Sequence, residues 1–191
     1  TFNGEEKFQI KRFICAHTIM LAMEGIPAIY IHSFLGTEND YNAIAAGGEN
    51  RSINRFIWNK KDIYKILEDK NSNNFYIMSK LNNLLKIRSK QPAFHPNATQ
   101  FTLNLGDEVF GLWRQDKKRK QSIFSISNVT SKSVRLSLQK INLIETEKWI
   151  DLISEEVLND IDDDILLEPY QSRWISTVSY THLTLPTSLI V

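Results

Sequence analysis

The residues able to carry chemistry are concentrated between Tyr30 and Arg55. Tyr30, His32 and Ser33 stand where a short apolar run stops, and the polar stretch behind them holds Glu38, Asn39, Asp40, Glu49, Asn50 and Arg51, with Arg55 four residues on. A guanidinium at Arg51 or Arg55 presents a planar fork of N–H donors that fits sugar hydroxyls, or orients a carboxylate that does. A plainer alternative is that both arginines tie the loop down by capping carbonyls. For His32 the plainer alternative is a hydrogen-bonded histidine at a strand end rather than a proton carrier. On the sequence alone both alternatives stand.

Other chemistries lack their residues. His17, His32 and His95 are scattered through unrelated elements, so no metal centre is expected. No GxxxxGK[ST], GxGxxG or GxSxG motif occurs, which leaves nucleotide, dinucleotide and serine-hydrolase readings without local support, and no cofactor is implied. Asp160, Asp162, Asp163 and Asp164 resemble a calcium loop only in charge. The Gly turn and distal Glu of such a loop are missing, so a surface loop is expected.

The elements that must position the polar stretch follow from periodicity. Glu5 to Glu24 reads as a helix with Ile10, Phe13, Ile14, His17, Met20 and Leu21 on one face, stopped by Gly25. Ile26 to Ile31 is a nearly continuous apolar, β-branched run, expected as a strand buried on both faces that releases Tyr30 and His32 at its end. Two further helices are expected over Lys61 to Lys70 and Asn74 to Lys90, and Gln91-Pro92 ends the second. Beyond that point the pattern turns to alternation. Strands are expected around Phe101 to Leu105, Val109 to Trp113, Ile123 to Ser127, Val134 to Leu138, Ile165 to Leu167 and Tyr170 to Ile175, with Ile144 to Ile153 ambiguous. Asp116 to Lys120 falls between two of them as a solvated hairpin tip.

Composition sets broad limits. The chain has 191 residues, 42% hydrophobic and 24% charged, which suits a globular protein with one or two cores. With 23 basic and 22 acidic residues, nothing recommends nucleic acid or an anionic membrane as partner. The single cysteine, Cys15, lies in an apolar helical pattern, where a buried small hydrophobe is expected in place of a catalytic thiol, and a reducing cytoplasm is the simpler location. No apolar run approaches the roughly 20 residues of a membrane-spanning helix. Residues 177–191 carry no charge and continue no pattern; VSYTHLTLPT looks like translated sequencing adapter, and the stretch is set aside as a non-native tail.

Four ordered motifs, GIPAIYIHSFLGTENDY, RSINR, QPAFHPNATQ and LEPYQSRWI, resemble the C-terminal part of the sucrose-phosphorylase-like group within the α-amylase family. The resemblance implies an α/β plus all-β fold: the C-terminal quarter of a (β/α)8 TIM barrel over residues 1–92 (seventh helix, eighth strand, eighth helix), then an antiparallel β-sandwich domain over 93–176. It further implies a retaining glycoside phosphorylase that moves an α-glucosyl unit from a small glucoside, glucosylglycerate first among them, to phosphate, giving α-glucose 1-phosphate. Sucrose or sucrose 6-phosphate phosphorolysis is the near alternative, and a noncatalytic carbohydrate-binding β-domain the distant one. Retention calls for two carboxyl groups roughly 5 Å apart. In the family these lie at barrel strands upstream of Thr1, so no catalytic residue is expected here. Arg51 matches the family's glucosyl-contacting arginine, and Asp40, His32 and Tyr30 fall where the substrate pocket wall should be. The chain departs from its relatives at Gly47-Gly48-Glu49-Asn50, just before Arg51.

Overall fold

The computed structural model describes residues 6–141, 148–158 and 164–177. A 3-10 turn at Glu6–Phe8 leads into α1 (Gln9–Ala22). Short helical turns follow at α2 (Ile31–Phe34) and α3 (Tyr41–Ala45), with a 3-10 turn at Asn50–Asn54. Two longer helices, α4 (Lys60–Glu68) and α5 (Asn73–Ser89), come next. Their starts are set by side chains. The Asn59 amide oxygen accepts from the Lys61 N–H at 2.9 Å, and the Ser72 hydroxyl accepts from the Phe75 N–H at 3.0 Å, satisfying donors that a helix start leaves open.

The remainder is antiparallel sheet. Strands β1 (Thr99–Asn104), β2 (Val109–Gln115), β3 (Ser122–Asn128), β5 (Trp149–Asp151), β6 (Val157–Leu158) and β8 (Ser172–Thr177) form one sheet in the order β1-β2-β3-β8-β5-β6. A second sheet pairs β4 (Val134–Ser137) with β7 (Asp164–Leu167). The six-stranded sheet is covered on both faces, and its side chains sort by the period of two. Phe124, Ile126 and Ile175 pack with Trp149 against Leu136, Ile165 and Leu167 of the smaller sheet. Their alternating neighbours Leu112, Ile123 and Trp174 pack with Leu21 and Ala22 of α1 and Ile77, Leu81 and Leu84 of α5. Truncating a fully buried leucine there, Leu21 or Leu81, would cost about 2–5 kcal/mol.

Arginines that reach main-chain carbonyls add further ties between the elements. The Arg114 guanidinium, fully buried on β2, donates to the carbonyls of Ala22 at 2.7 Å, His95 at 2.9 Å and Ala98 at 3.4 Å. Arg88 of α5 donates to Leu21 O at 2.8 Å and Gly25 O at 3.4 Å. The Gly25 N–H in turn donates to Pro96 O at 3.0 Å. Cations thereby meet the negative end of α1 and the carbonyls its last turn leaves unpaired.

One expectation fails. Ile26 to Tyr30 carries no ladder hydrogen bonds, and Ile31 already opens α2. Ile26 is 85% exposed and Ile31 57%, so this is not a strand buried on both faces. The segment leaves α1 extended, but no strand among the described residues lies beside it, and a strand exists only through its neighbours. The hairpin tip forms as expected: Asp116 accepts from the N–H groups of Lys118, Lys120 and Gln121. Strand β8 takes in Thr177, the first residue of the stretch set aside, whereas 178–191 lie outside the described residues. So do Asp160, Asp162 and Asp163; Asp164 opens β7.

Candidate functional site

The polar stretch is built as a chain of short turns, each tied to the next. Tyr30 stands at the N-terminus of α2, and its ring meets that of His32 edge to face at 5.2 Å. Its hydroxyl donates to Asn54 O at 3.2 Å, bridging to the 3-10 turn that carries Arg51. His32 Nδ1 lies 3.3 Å from the Thr37 hydroxyl, which also accepts the indole N–H of Trp58 at 2.9 Å. Asp40 caps α3, with Oδ1 accepting from the Ala43 N–H at 2.9 Å, while its own N–H donates to Ile53 O at 2.7 Å.

Two glycines make these turns possible. Gly36 has φ +62°, and a Cβ there would lie 2.8 Å from Ile77 Cδ1. The turn is held from α5, where the Asn74 amide donates to Leu35 O at 2.8 Å and Gly36 O at 3.0 Å. At Gly48 a Cβ would meet the Ala43 carbonyl oxygen at 2.5 Å, so only glycine lets the backbone close over α3. This is the local reason for the Gly47-Gly48 pair before Arg51.

Arg51 is exposed, and its guanidinium has no hydrogen bond or ion pair among the described residues; the same holds for Arg55. Neither side chain caps a carbonyl among the described residues. His32 is hydrogen-bonded as its own plainer alternative supposes.

Residues 37–42 with Phe56, Trp58 and Asn74 line an open cavity of about 510 Å3. Of the four residues singled out for substrate binding, Asp40 lines it. Tyr30, His32 and Arg51 do not, although His32 reaches its wall through Thr37. The rings of Phe56 and Trp58 lie 4.9 Å apart at 66°. Sequence reasoning missed this pair, yet a signal was present: in Phe56-Ile57-Trp58 the two aromatics fall on one side of an extended backbone and Ile57, 91% exposed, on the other.

Cys15 is buried, and burial pushes its thiol pKa up, against smaller opposing contributions from Ser172 and Ser127. Such a thiol is a poor nucleophile. Among the described residues no group of three or more His, Cys, Asp or Glu is arranged to hold a metal ion, and no helix is long and apolar enough to cross a membrane.

Comparison with known proteins adds the following. No family model matches the chain. It is 34% identical over 170 residues to a glucosylglycerate phosphorylase of Allomeiothermus silvanus, covering 89% of this chain and 28% of that protein. The glucosylglycerate phosphorylase of Escherichia coli K12 is 33% identical over 167 residues, again with 28% of its length covered. The chain thus spans little more than a quarter of these relatives. Among solved structures, AmyP E221Q in complex with maltotriose superposes with a TM-score of 0.70 at 15% identity, over 92% of this chain and 36% of that one. The α-amylase of Geobacillus thermoleovorans gives a TM-score of 0.64 at 17% identity over 90% of this chain and 34% of that one. The sequence is thus similar to a part of the glucosylglycerate phosphorylases, and the backbone shares the fold of the corresponding part of the α-amylases.

Proposed function

We propose that the chain is the C-terminal part of a retaining glycoside phosphorylase that transfers an α-glucosyl unit from glucosylglycerate to phosphate, releasing α-glucose 1-phosphate. The observation that carries this reading is the identity of 30–34% to three proteins named glucosylglycerate phosphorylase. Retention needs a nucleophile and an acid roughly 5 Å apart, and both belong to sequence upstream of Thr1. The contribution of this chain is to hold substrate. Arg51, whose donors have no partner among the described residues, engages the glucosyl unit, while Tyr30, His32 and Asp40 shape the wall and the turn behind it. Substrate and phosphate are the partners, and the cytoplasm is the compartment that suits an unpaired cysteine.

A second reading rests on weaker similarity to a sucrose phosphorylase (27% identity) and a sucrose 6(F)-phosphate phosphorylase (30% identity). The test is to extend the reading frame upstream, express the intact polypeptide and measure α-glucose 1-phosphate release from glucosylglycerate, sucrose and sucrose 6-phosphate. Preference for glucosylglycerate supports the first reading and preference for either sucrose the second. An upstream frame without an Asp and a Glu at barrel-strand ends favours a noncatalytic carbohydrate-binding domain.

A further inference from the structure

The cavity over Phe56 and Trp58 has a chemistry of its own. At about 510 Å3 it falls within the roughly 300–1,000 Å3 usual for small-molecule sites. Its lining joins the aromatic side chains of Phe56, Trp58 and Tyr41, the last 62% exposed, with acceptors on Glu38, Asn39 and Asp40. Among the described residues no lysine, arginine or histidine lines it. Neither carboxylate is neutralised by an ion pair among the described residues, and Asp40 commits only Oδ1, to the Ala43 N–H. The Trp58 indole N–H is spent on Thr37, which fixes the ring beside Phe56.

An anion entering this space would meet two carboxylates and no cation. A sugar ring suits it. The C–H face of a pyranose packs on an aromatic plane, and its hydroxyls donate to carboxylate and amide oxygens. We propose that this cavity binds a neutral glycosyl unit, at a place separate from Arg51 and from wherever phosphate or an anionic acceptor is held. The choice of a sugar over another neutral polyol rests on the phosphorylase reading above.

The test follows the Trp58 indole N–H by proton–nitrogen NMR in the 191-residue chain, assigned by its loss in Trp58→Phe. Methyl α-glucoside is titrated as the neutral probe, with glycerate and inorganic phosphate as the anionic ones. The expected result is a saturable shift of Trp58 and of the Thr37 amide with methyl α-glucoside, weakened at least threefold in Glu38→Gln, and none with either anion. No saturable shift with the glucoside, or a larger response to glycerate or phosphate, overturns the proposal. Should the indole resonances of this chain be undispersed, the intact polypeptide provides the readout. There the Thr37 amide should shift saturably with methyl α-glucoside and lose that response in Trp58→Ala, and an unchanged response in Trp58→Ala overturns the proposal. The two readings fail separately: phosphorolysis with an unresponsive Trp58 sinks the cavity, and a responsive Trp58 without phosphorolysis of any glucoside sinks the enzyme.

Discussion

Arg114 on β2 donates to the carbonyl of Ala22, the last residue of α1, at 2.7 Å, so that sheet and helix meet through a fully buried charge. Removing it leaves three carbonyls without this donor, two of them, those of Ala22 and Ala98, in buried contacts. Arg114→Met should therefore destabilise by about 1–3 kcal/mol for each carbonyl left unpaired in the interior. Urea unfolding measures it, and a loss below about 1 kcal/mol would show that the carbonyls find other partners.

Gly36→Ala should cost about 1–3 kcal/mol, from its positive φ and from the approach of the new Cβ to Ile77. Part of this is contact with Ile77 Cδ1, which Ile77→Val removes. The same substitution made in an Ile77→Val background should accordingly cost less. Equal costs in both backgrounds would assign the whole effect to the backbone.

Two carboxylates should give opposite pH dependence. Burial pushes the Asp151 pKa up, and the N–H of Ile153, the Ser154 hydroxyl, the N–H of Trp174 and nearby Arg173 only partly offset it. The folded state thus holds that proton to higher pH than the unfolded chain. The contribution is complete below the ordinary aspartate value of about 3.9 and is lost as pH rises through the raised value. At Asp116 loss of hydration also pushes upward, but the N–H groups of Gln121, Lys118 and Lys120 and the charge of Lys118 outweigh it and leave the pKa lowered. Its contribution is present above about 3.9 and is lost as pH falls through the lowered value. Relative to Asp151→Asn, the unchanged chain should lose stability from acid toward neutral pH; relative to Asp116→Asn, it should lose stability toward strong acid. Urea midpoints across a pH series test both, and parallel curves count against the assignment.

In the intact polypeptide, Arg51→Lys should lower kcat/KM about 10- to 100-fold for every glucoside alike. Charge-assisted hydrogen bonds of about 1.5–3 kcal/mol are at stake, and an ammonium cannot reproduce the planar fork. A loss confined to one acceptor would remove Arg51 from the glucosyl contact.

Much of the architecture was legible because period is local. The apolar spacing of Ile77, Leu81 and Leu84 places α5 and its buried face, and the alternation Phe101, Leu103 places β1. Residues 26–30 misled for the opposite reason. A β-branched run signals a strand, but whether a ladder forms depends on partners the run does not contain. The two-residue strand β6 is too short for any period to register. At the cavity, Asp40 stood out by charge and type. Trp58, 21 residues from Thr37 yet bonded to it, required the fold to bring the two together. Arg114 gave no sign of burial, since its three acceptors are main-chain carbonyls that any sequence supplies.

Strand β8 lies between β3 and β5 although it comes last of the described strands in sequence. Vectorial synthesis therefore delivers the middle of the sheet after both its flanks. While residues 172–177 remain inside the ribosomal tunnel, β3 presents an open seam to the cytosol, and Trp174 is not yet there to close the layer over α1 and α5. A nascent chain of this design waits half-assembled, so a premature stop shortly before Ser172 should yield an aggregation-prone product rather than a slightly shorter domain.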